Sequence, residues 1–252
     1  MKLDLENKTA LITGSSKGIG KAIANELNKE GCNIILNGKN KSELKEAIKS
    51  LENKSDYFVA DVTNQKFCKK LINYISRKYS GLDILICNVG NGTSAPPGEE
   101  TNDEWQKMIS VNLFSAANII QESRGLLSKN NGAIVCVSSI ASIETTGAPI
   151  TYSSAKAALN TYVKQSSRPL AKQGIRINAV VPGNIMFEGS VWEGKMKENP
   201  KKVKKMIKNE VPLGRFGHAK EVGDLVTFLV SPKAAFITGS IFVIDGGQTR
   251  SF

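Results

Sequence analysis

The segment "YSSAK", residues 152–156, places Tyr152 and Lys156 four positions apart. On a helix that spacing stacks both side chains on one face, a single turn from each other. A phenol titrates at about 10, too high to exchange protons readily at neutral pH. A lysine ammonium one turn away favours the phenolate and makes the hydroxyl a usable proton donor or acceptor. Upstream, "VSSIAS" (137–142) closes an apolar run and offers Ser139 as a hydrogen-bond donor to a carbonyl oxygen. Tyr and Lys at this spacing are common on helices, so the chemistry depends on what the rest of the chain brings to them.

The segment "TGSSKGIG" (13–20) ends the apolar run "TALIT" and opens into the helical pattern "GIGKAIANELNKEG". Gly14, Gly18 and Gly20 lack side chains, which lets backbone approach both backbone and ligand. The helix N-terminus then offers free N–H groups and a positive dipole end to a pyrophosphate. Ser15, Ser16, Lys17 and Ile19 complete this cofactor-binding turn. The spacing is G-x-x-x-G-x-G, not the commoner G-x-G-x-x-G. Its position after the first strand of an alternating chain is what points to a dinucleotide. An acid near the end of the second strand ordinarily holds the ribose of NAD. Here that strand ends "ILNGKN", with Asn37, Gly38 and Lys39 and no acid, while Lys17 sits in the turn. Two lysines and no carboxylate suit a 2′-phosphate, which favours NADP(H) over NAD(H).

The elements that must position these residues are legible as alternation. "TALIT" (9–13), "NIIL" (33–36), "YFVA" (57–60), "LDILIC" (82–87), "AIVCVS" (133–138), "RINAVV" (176–181) and "SIFVI" (240–244) read as strands. Most are apolar throughout, as parallel strands covered on both faces must be. Helical patterns lie between them, including one read as continuous from "TNDEWQKMISVNLFSAANIIQESRGLL" (101–127). This predicts an α/β chain, a Rossmann-type doubly wound parallel sheet of about seven strands with helices on both faces. No repeat, low-complexity tract or linker divides it, so residues 1–252 are expected to form a single dinucleotide-binding domain. The least regular stretch is 183–200.

Composition narrows the classes. With 40% hydrophobic and 23% charged residues the chain reads as globular and soluble. It holds no apolar run long enough for a membrane span and no signal peptide. Cys32, Cys68, Cys87 and Cys136 form no C-x-x-C pair, and the single His218 cannot complete a zinc site with them. Buried, reduced thiols and a cytoplasmic location follow. The net charge of +11 gathers partly in "KMKENPKKVKKMIK" (195–208). The expected reading is the solvated face of an amphipathic helix. No aromatic residues interleave there, which argues against nucleic acid as a partner.

Taken together, the chain resembles the short-chain dehydrogenase/reductase family over nearly its whole length. "TGSSKGIG" matches the family's glycine turn and "YSSAK" its Tyr-x-x-x-Lys motif, with Ser139 thirteen residues before Tyr152. Asn112 in "SVNLF", Asp61 in "ADV", "PGNI" (182–185), "VPLGRFG" (211–217) and "ITGSIFVIDGG" (237–247) match further motifs in order. The resemblance implies that Tyr152 protonates the substrate carbonyl while Ser139 holds its oxygen. It implies that Lys156 binds the nicotinamide ribose and Asn112 positions a water relaying protons. It places Asp61 and Val62 by the adenine, Asn88 and Gly90 by the adenosine ribose, and Ile185, after Pro182 and Gly183, by the carboxamide. Two positions depart from the pattern. "CNVG" (87–90) replaces the family's Asn-Asn-Ala-Gly, with Val89 in place of alanine, and Phe187 stands where a threonine is usual.

The subgroup most resembled is 3-oxoacyl-[acyl-carrier-protein] reductase. That implies a ketone substrate on an acidic carrier protein, with Arg124 at a basic docking position and Gln173 beside Lys172 at its neighbour. The alternative is a sugar or another small polar carbonyl, and a third reading is a non-catalytic dinucleotide-binding protein. "SIFVIDGG" is expected at a sheet edge with too short a tail to cover it. Trp105, Met108, Leu113, Phe114, Leu159, Tyr162 and Val163 are expected to exceed what one sheet face buries. The family covers such surfaces in a homotetramer, which is the assembly expected here.

Overall fold

The structure is a computed structural model and describes residues 2–79 and 81–250. Each of the seven apolar runs forms a strand. They are β1 (Thr9–Ile12), β2 (Asn33–Gly38), β3 (Ser55–Val59), β4 (Ile84–Cys87), β5 (Ala133–Val137), β6 (Arg176–Pro182) and, last in the chain, β9 (Ile241–Ile244). They pair in the order β3-β2-β1-β4-β5-β6-β9, every pair parallel. Successive residues face opposite sides of the sheet. On β1, Ala10 and Ile12 enter one core while Leu11 enters the other, and on β4 Ile84 and Ile86 alternate with Leu85 and Cys87. Both sides are covered, so no polar face is needed and the runs stay apolar.

Helix α1 (Gly18–Lys29), α2 (Lys41–Ile48) and α9 (Ala219–Val230) cover one side, through residues such as Ile23, Leu27, Leu44, Val222 and Val226. Helices α3 (Gln65–Lys78), α5 (Ser115–Ser128) and α6 (Ile150–Ala171) cover the other, through Leu71, Ile75, Ile119, Leu159 and Val163. The strand order reverses between β1 and β4. In such sheets a crevice opens beyond the carboxyl ends at that switch point.

Three expectations need correction. The stretch 101–127 is not one α-helix: α4 (Asn102–Ile109) and α5 are joined by a π-helical turn, Ser110–Phe114, centred on Asn112. The irregular stretch 183–200 is more ordered than expected. Strand β7 (Ile185–Met186) pairs with β8 (Gly217–His218), and α7 (Val191–Glu198) and α8 (Pro200–Glu210) follow β7. Finally, Met108, Leu159 and Val163 are enclosed by their own chain: Leu159 and Val163 pack on the sheet's second face, and Met108 is buried on α4, which packs against α6. Of the helix residues expected at an interface, Phe114 is exposed, at 51%.

The lysine-rich helix, the edge strand and the buried thiols match the expectations. On α8 the lysines are exposed while Val203 and Ile207 are buried. β9 is the outermost strand, with Ile241 at 38% and Val243 at 44% exposure. All four cysteines are free and buried. Among the described residues no helix is long and apolar enough to cross a membrane, and no cluster of metal-ligating side chains forms.

Candidate active site

A cavity of about 780 Å³ opens at the carboxyl ends of the strands. The glycine turn forms one wall. A Cβ added at Gly20 would lie 2.4 Å from the Gly14 carbonyl oxygen and 2.5 Å from Asn88 Nδ2, so only glycine lets the turn close. Asn88 Nδ2 donates to the carbonyls of Thr13 (3.1 Å) and Gly14 (2.8 Å), tying the turn after β4 to the turn after β1. No side chain caps the start of α1, so its first N–H groups are free for an anion. Ser15 does not face the cavity. It is buried, and its hydroxyl donates to the Ile12 carbonyl (2.8 Å) and accepts from Asn37 N (3.0 Å). It fixes the turn to β2.

At the end expected to take the adenosine, Lys17, Lys39, Asp61 and Val62 all line the cavity. The second strand itself ends without an acid, but a carboxylate from elsewhere joins Asp61 beside the lysines. Glu43 of α2 also lines it and accepts a hydrogen bond from Ser16 Oγ at 2.9 Å. Asp61 Oδ2 stands 3.9 Å from Lys39 Nζ, while Oδ1 accepts from Thr63 N and Oγ1. Helix α2 folds back across the turn and β3 delivers Asp61 from the neighbouring strand, neither of which local sequence displays. Asn37 Nδ2 donates to the carbonyls of Phe58 and Ala60, both at 3.1 Å, leaving its buried Oδ1 without a partner beside the cavity.

At the other end, α6 presents Tyr152 and Lys156 to the cavity as the spacing predicts. Lys156 is only 3% exposed, and its Nζ donates to the Val137 carbonyl at 2.8 Å. Burial without a carboxylate partner brings its pKa down from 10.5 to about 8. Burial pushes the Tyr152 phenol up, and the nearby Ser139 hydroxyl pulls it back down. The lowering expected from Lys156 is not found: the phenol stands above its ordinary value, Ser139 offsets only part of the burial effect, and the Lys156 ammonium donates to Val137 instead. Asn112 is wholly buried. Its Oδ1 accepts from Asn91 N (3.0 Å), and its Nδ2 donates to the carbonyls of Asn91 (3.0 Å) and Met108 (3.1 Å). One amide proton and Oδ1 therefore clamp the turn that carries Gly90 beside Lys156, while the other proton is committed to Met108 one helical turn back. The π turn around Asn112 is what brings this side chain into register with Asn91.

The free helix N-terminus, the closely approached glycines and the cavity's length from Lys39 to Tyr152 fit a nicotinamide dinucleotide. A protein-family model described as Enoyl-(Acyl carrier protein) reductase matches residues 14–249. The chain belongs to the short-chain dehydrogenase/reductase family. It is 34% identical to the 3-oxoacyl-[acyl-carrier-protein] reductase FabG of Thermotoga maritima over 96% of this chain and 98% of that one. It superposes with a TM-score of 0.94 on L-sorbose reductase from Gluconobacter frateurii, complexed with NADPH and L-sorbose. The identity there is 27%, with 100% of both chains covered. NAD+-bound xylitol dehydrogenase gives a TM-score of 0.91 at 26% identity, covering 97% of this chain and all (100%) of that one. The chain is thus an oxidoreductase of the carbonyl/alcohol type with a nicotinamide dinucleotide cofactor.

Within this short-chain dehydrogenase/reductase, Pro182, Gly183 and Ile185 do not line the cavity. Pro182 ends β6, Gly183 packs against Asp245, and Ile185 is buried in β7. Phe187 does line it. Its ring lies directly on Gly18, where an added Cβ would meet Cε2 at 2.6 Å. Val89 lines the same cavity and packs on the α3/α5/α6 side of the sheet. Beside Tyr152, Gly92 lies against the phenol ring, and Ser94 Oγ sits 2.8 Å from Thr151 Oγ1 while donating to Glu104 at 2.6 Å. Thr93, Lys107 and Ser110 add polar groups to the lining. Residue type alone gave no signal for these.

Proposed function

We propose that this chain is an NADP(H)-dependent reductase that interconverts a small polar ketone of the ketose class and the corresponding secondary alcohol, a polyol. The observation that carries this is that Tyr152 and buried Lys156 line one end of the cavity, with Ser139 hydrogen-bonded to the phenol and with Asn91, Thr93, Lys107, Ser110 and Ser138 supplying polar groups to the lining. Tyr152 gives its proton to the carbonyl oxygen, and Ser139 holds that oxygen and favours the phenolate left behind. Lys156 stands one turn away to bind the ribose and return the proton, and Asn112 fixes the turn against it. The bound nicotinamide supplies the hydride to the carbonyl carbon. The chain from residue 1 to 252 works as a single dinucleotide-binding unit, and its free, buried thiols suit a reducing cytoplasm.

A second reading, an acyl thioester on an acidic carrier protein, is supported by the net charge of +11 and the FabG relative. Against it, Arg124 is half-buried on α5 with its Nε enclosed. The test is NADPH oxidation against ketoses, acyl thioesters and simple ketones. Highest kcat/KM on a ketose supports the first reading, highest kcat/KM on an acyl thioester the second, and NADPH binding with no turnover of any of them removes both.

Cofactor choice rests on Lys17 and Lys39 outweighing Glu43 and Asp61 at the adenosine end. Neutralising both lysines is expected to weaken NADPH about tenfold or more per lost phosphate contact while barely moving NADH. A wild-type preference for NADH would show that the two carboxylates prevail.

Assembly follows from the surface left bare. Ile241 and Val243 on the outer strand, Leu213 at 66%, Phe236 fully exposed and Phe114 in the π turn are apolar positions left exposed among the described residues. The proposal is a homotetramer. Light scattering at micromolar concentration should give about four times the 27.2 kDa of one chain. A mass of one chain removes the assignment.

A further inference from the structure

We propose that Asn160 is a positioning residue for proton transfer at Tyr152, acting through Ser142 on Ser139. The proposal rests on the catalytic reading of Ser139 and Tyr152 given above. Asn160 lies on α6 two turns beyond Tyr152 and one beyond Lys156, and is 6% exposed. It does not line the cavity. Its Nδ2 donates to Ser142 Oγ at 2.7 Å. The Ser142 hydroxyl in turn donates its one proton to the Ser139 carbonyl, which also accepts from Ser142 N at 2.9 Å. Ser138 Oγ approaches the same Ser142 oxygen at 3.4 Å and the Lys156 carbonyl at 3.4 Å. The short 3-10 turn Ile140–Ser142 is thereby closed on itself and bolted to α6.

The proton accounting fixes the direction of this chain of bonds. Ser142 spends its only proton on Ser139, so its oxygen can only accept from Asn160. The amide must present Nδ2, and Oδ1 is left buried with no partner. An unpaired buried acceptor is unfavourable, and an aliphatic side chain would fill the same space without one. What the amide provides that an aliphatic side chain cannot is the bond to Ser142. That bond holds the carbonyl of Ser139 in place, while Ser139 Oγ accepts from Ala141 N at 3.2 Å and lies beside the phenol. Asn160 therefore sets where the Ser139 hydroxyl stands relative to Tyr152 without touching substrate or cofactor.

The test is a double-mutant cycle on the full chain. Asn160→Ala is expected to lower kcat about tenfold with NADPH affinity unchanged, and to move the Tyr152 limb of the pH–kcat profile upward as the effect of Ser139 is lost. In a Ser139→Ala background the same change should alter kcat less than about twofold. Ser142→Ala cuts the same link, should repeat both results, and carries the test if Asn160→Ala does not fold. An equal loss of kcat with and without Ser139 overturns the proposal. So does a variant that melts earlier with kcat and pH profile intact. Full turnover in Ser139→Ala alone would remove the catalytic reading, and the proposal with it, and is read separately from the cycle.

Discussion

Replacing Tyr152 by phenylalanine is expected to cut turnover at least about 10²-fold while leaving NADPH binding nearly intact. Phenylalanine keeps the ring that packs against Gly92 and fits the same helix position, so the cavity keeps its shape. What disappears is one buried hydroxyl that Ser139 makes more acidic than its surroundings would allow. On the proposed reading the dinucleotide is held by the glycine turn, Asn88 and Lys156, none of which the change touches. Single-turnover kinetics with saturating NADPH separate the two steps. Turnover within a few-fold of the parent would transfer the proton donor's role to another group.

Lys156 gives the second large effect, and it appears in stability. In the unfolded chain this lysine keeps its proton up to about 10.5, whereas in the folded chain it gives it up near 8. Between those values the unfolded state binds more protons, so stability rises with pH across that window. Below pH 8 both states are protonated and the whole penalty for burying the ammonium is present. Lys156→Met removes the titration. The difference in unfolding free energy between parent and variant should therefore move in the parent's favour by about 2–3 kcal/mol from pH 8 to pH 10. Urea titrations of both proteins at the two pH values measure it, and other titrating groups cancel in the difference. A constant gap would mean that the Val137 carbonyl and the cavity solvate the ammonium as well as water does.

The strands were legible because β1, β4 and β5 are buried on both faces, and such strands must be apolar at every position. Tyr152 and Lys156 were legible because a fixed spacing on a regular helix sets direction without further information. The π turn was not. It inserts no special residue type and differs from α-helix only in hydrogen-bond partner, yet it rotates α5 relative to α4 and aims Asn112 at Asn91. Glu43 was missed because only the return of α2 over Ser16 brings it to the cavity. Ser15 was misassigned because a serine in a phosphate-binding turn reads the same whether its hydroxyl faces ligand or backbone. The bare positions on α4 and α6 were overcounted because periodicity shows which face is apolar but not how much of it the sheet consumes.

The two cores hold the cysteines unequally. Cys32 lies in the α1/α2/α9 side, whereas Cys68, Cys87 and Cys136 lie in the α3/α5/α6 side. Burial pushes the Cys32 and Cys68 thiols up to about 12 and Cys87 well above its ordinary range, so these three hold almost no reactive thiolate, and Cys136 is enclosed as they are. Alkylation therefore waits on opening of the chain. Because the thiols are split one against three across the sheet, a labelling time course with peptide mapping distinguishes peeling of one helical layer from loss of the other.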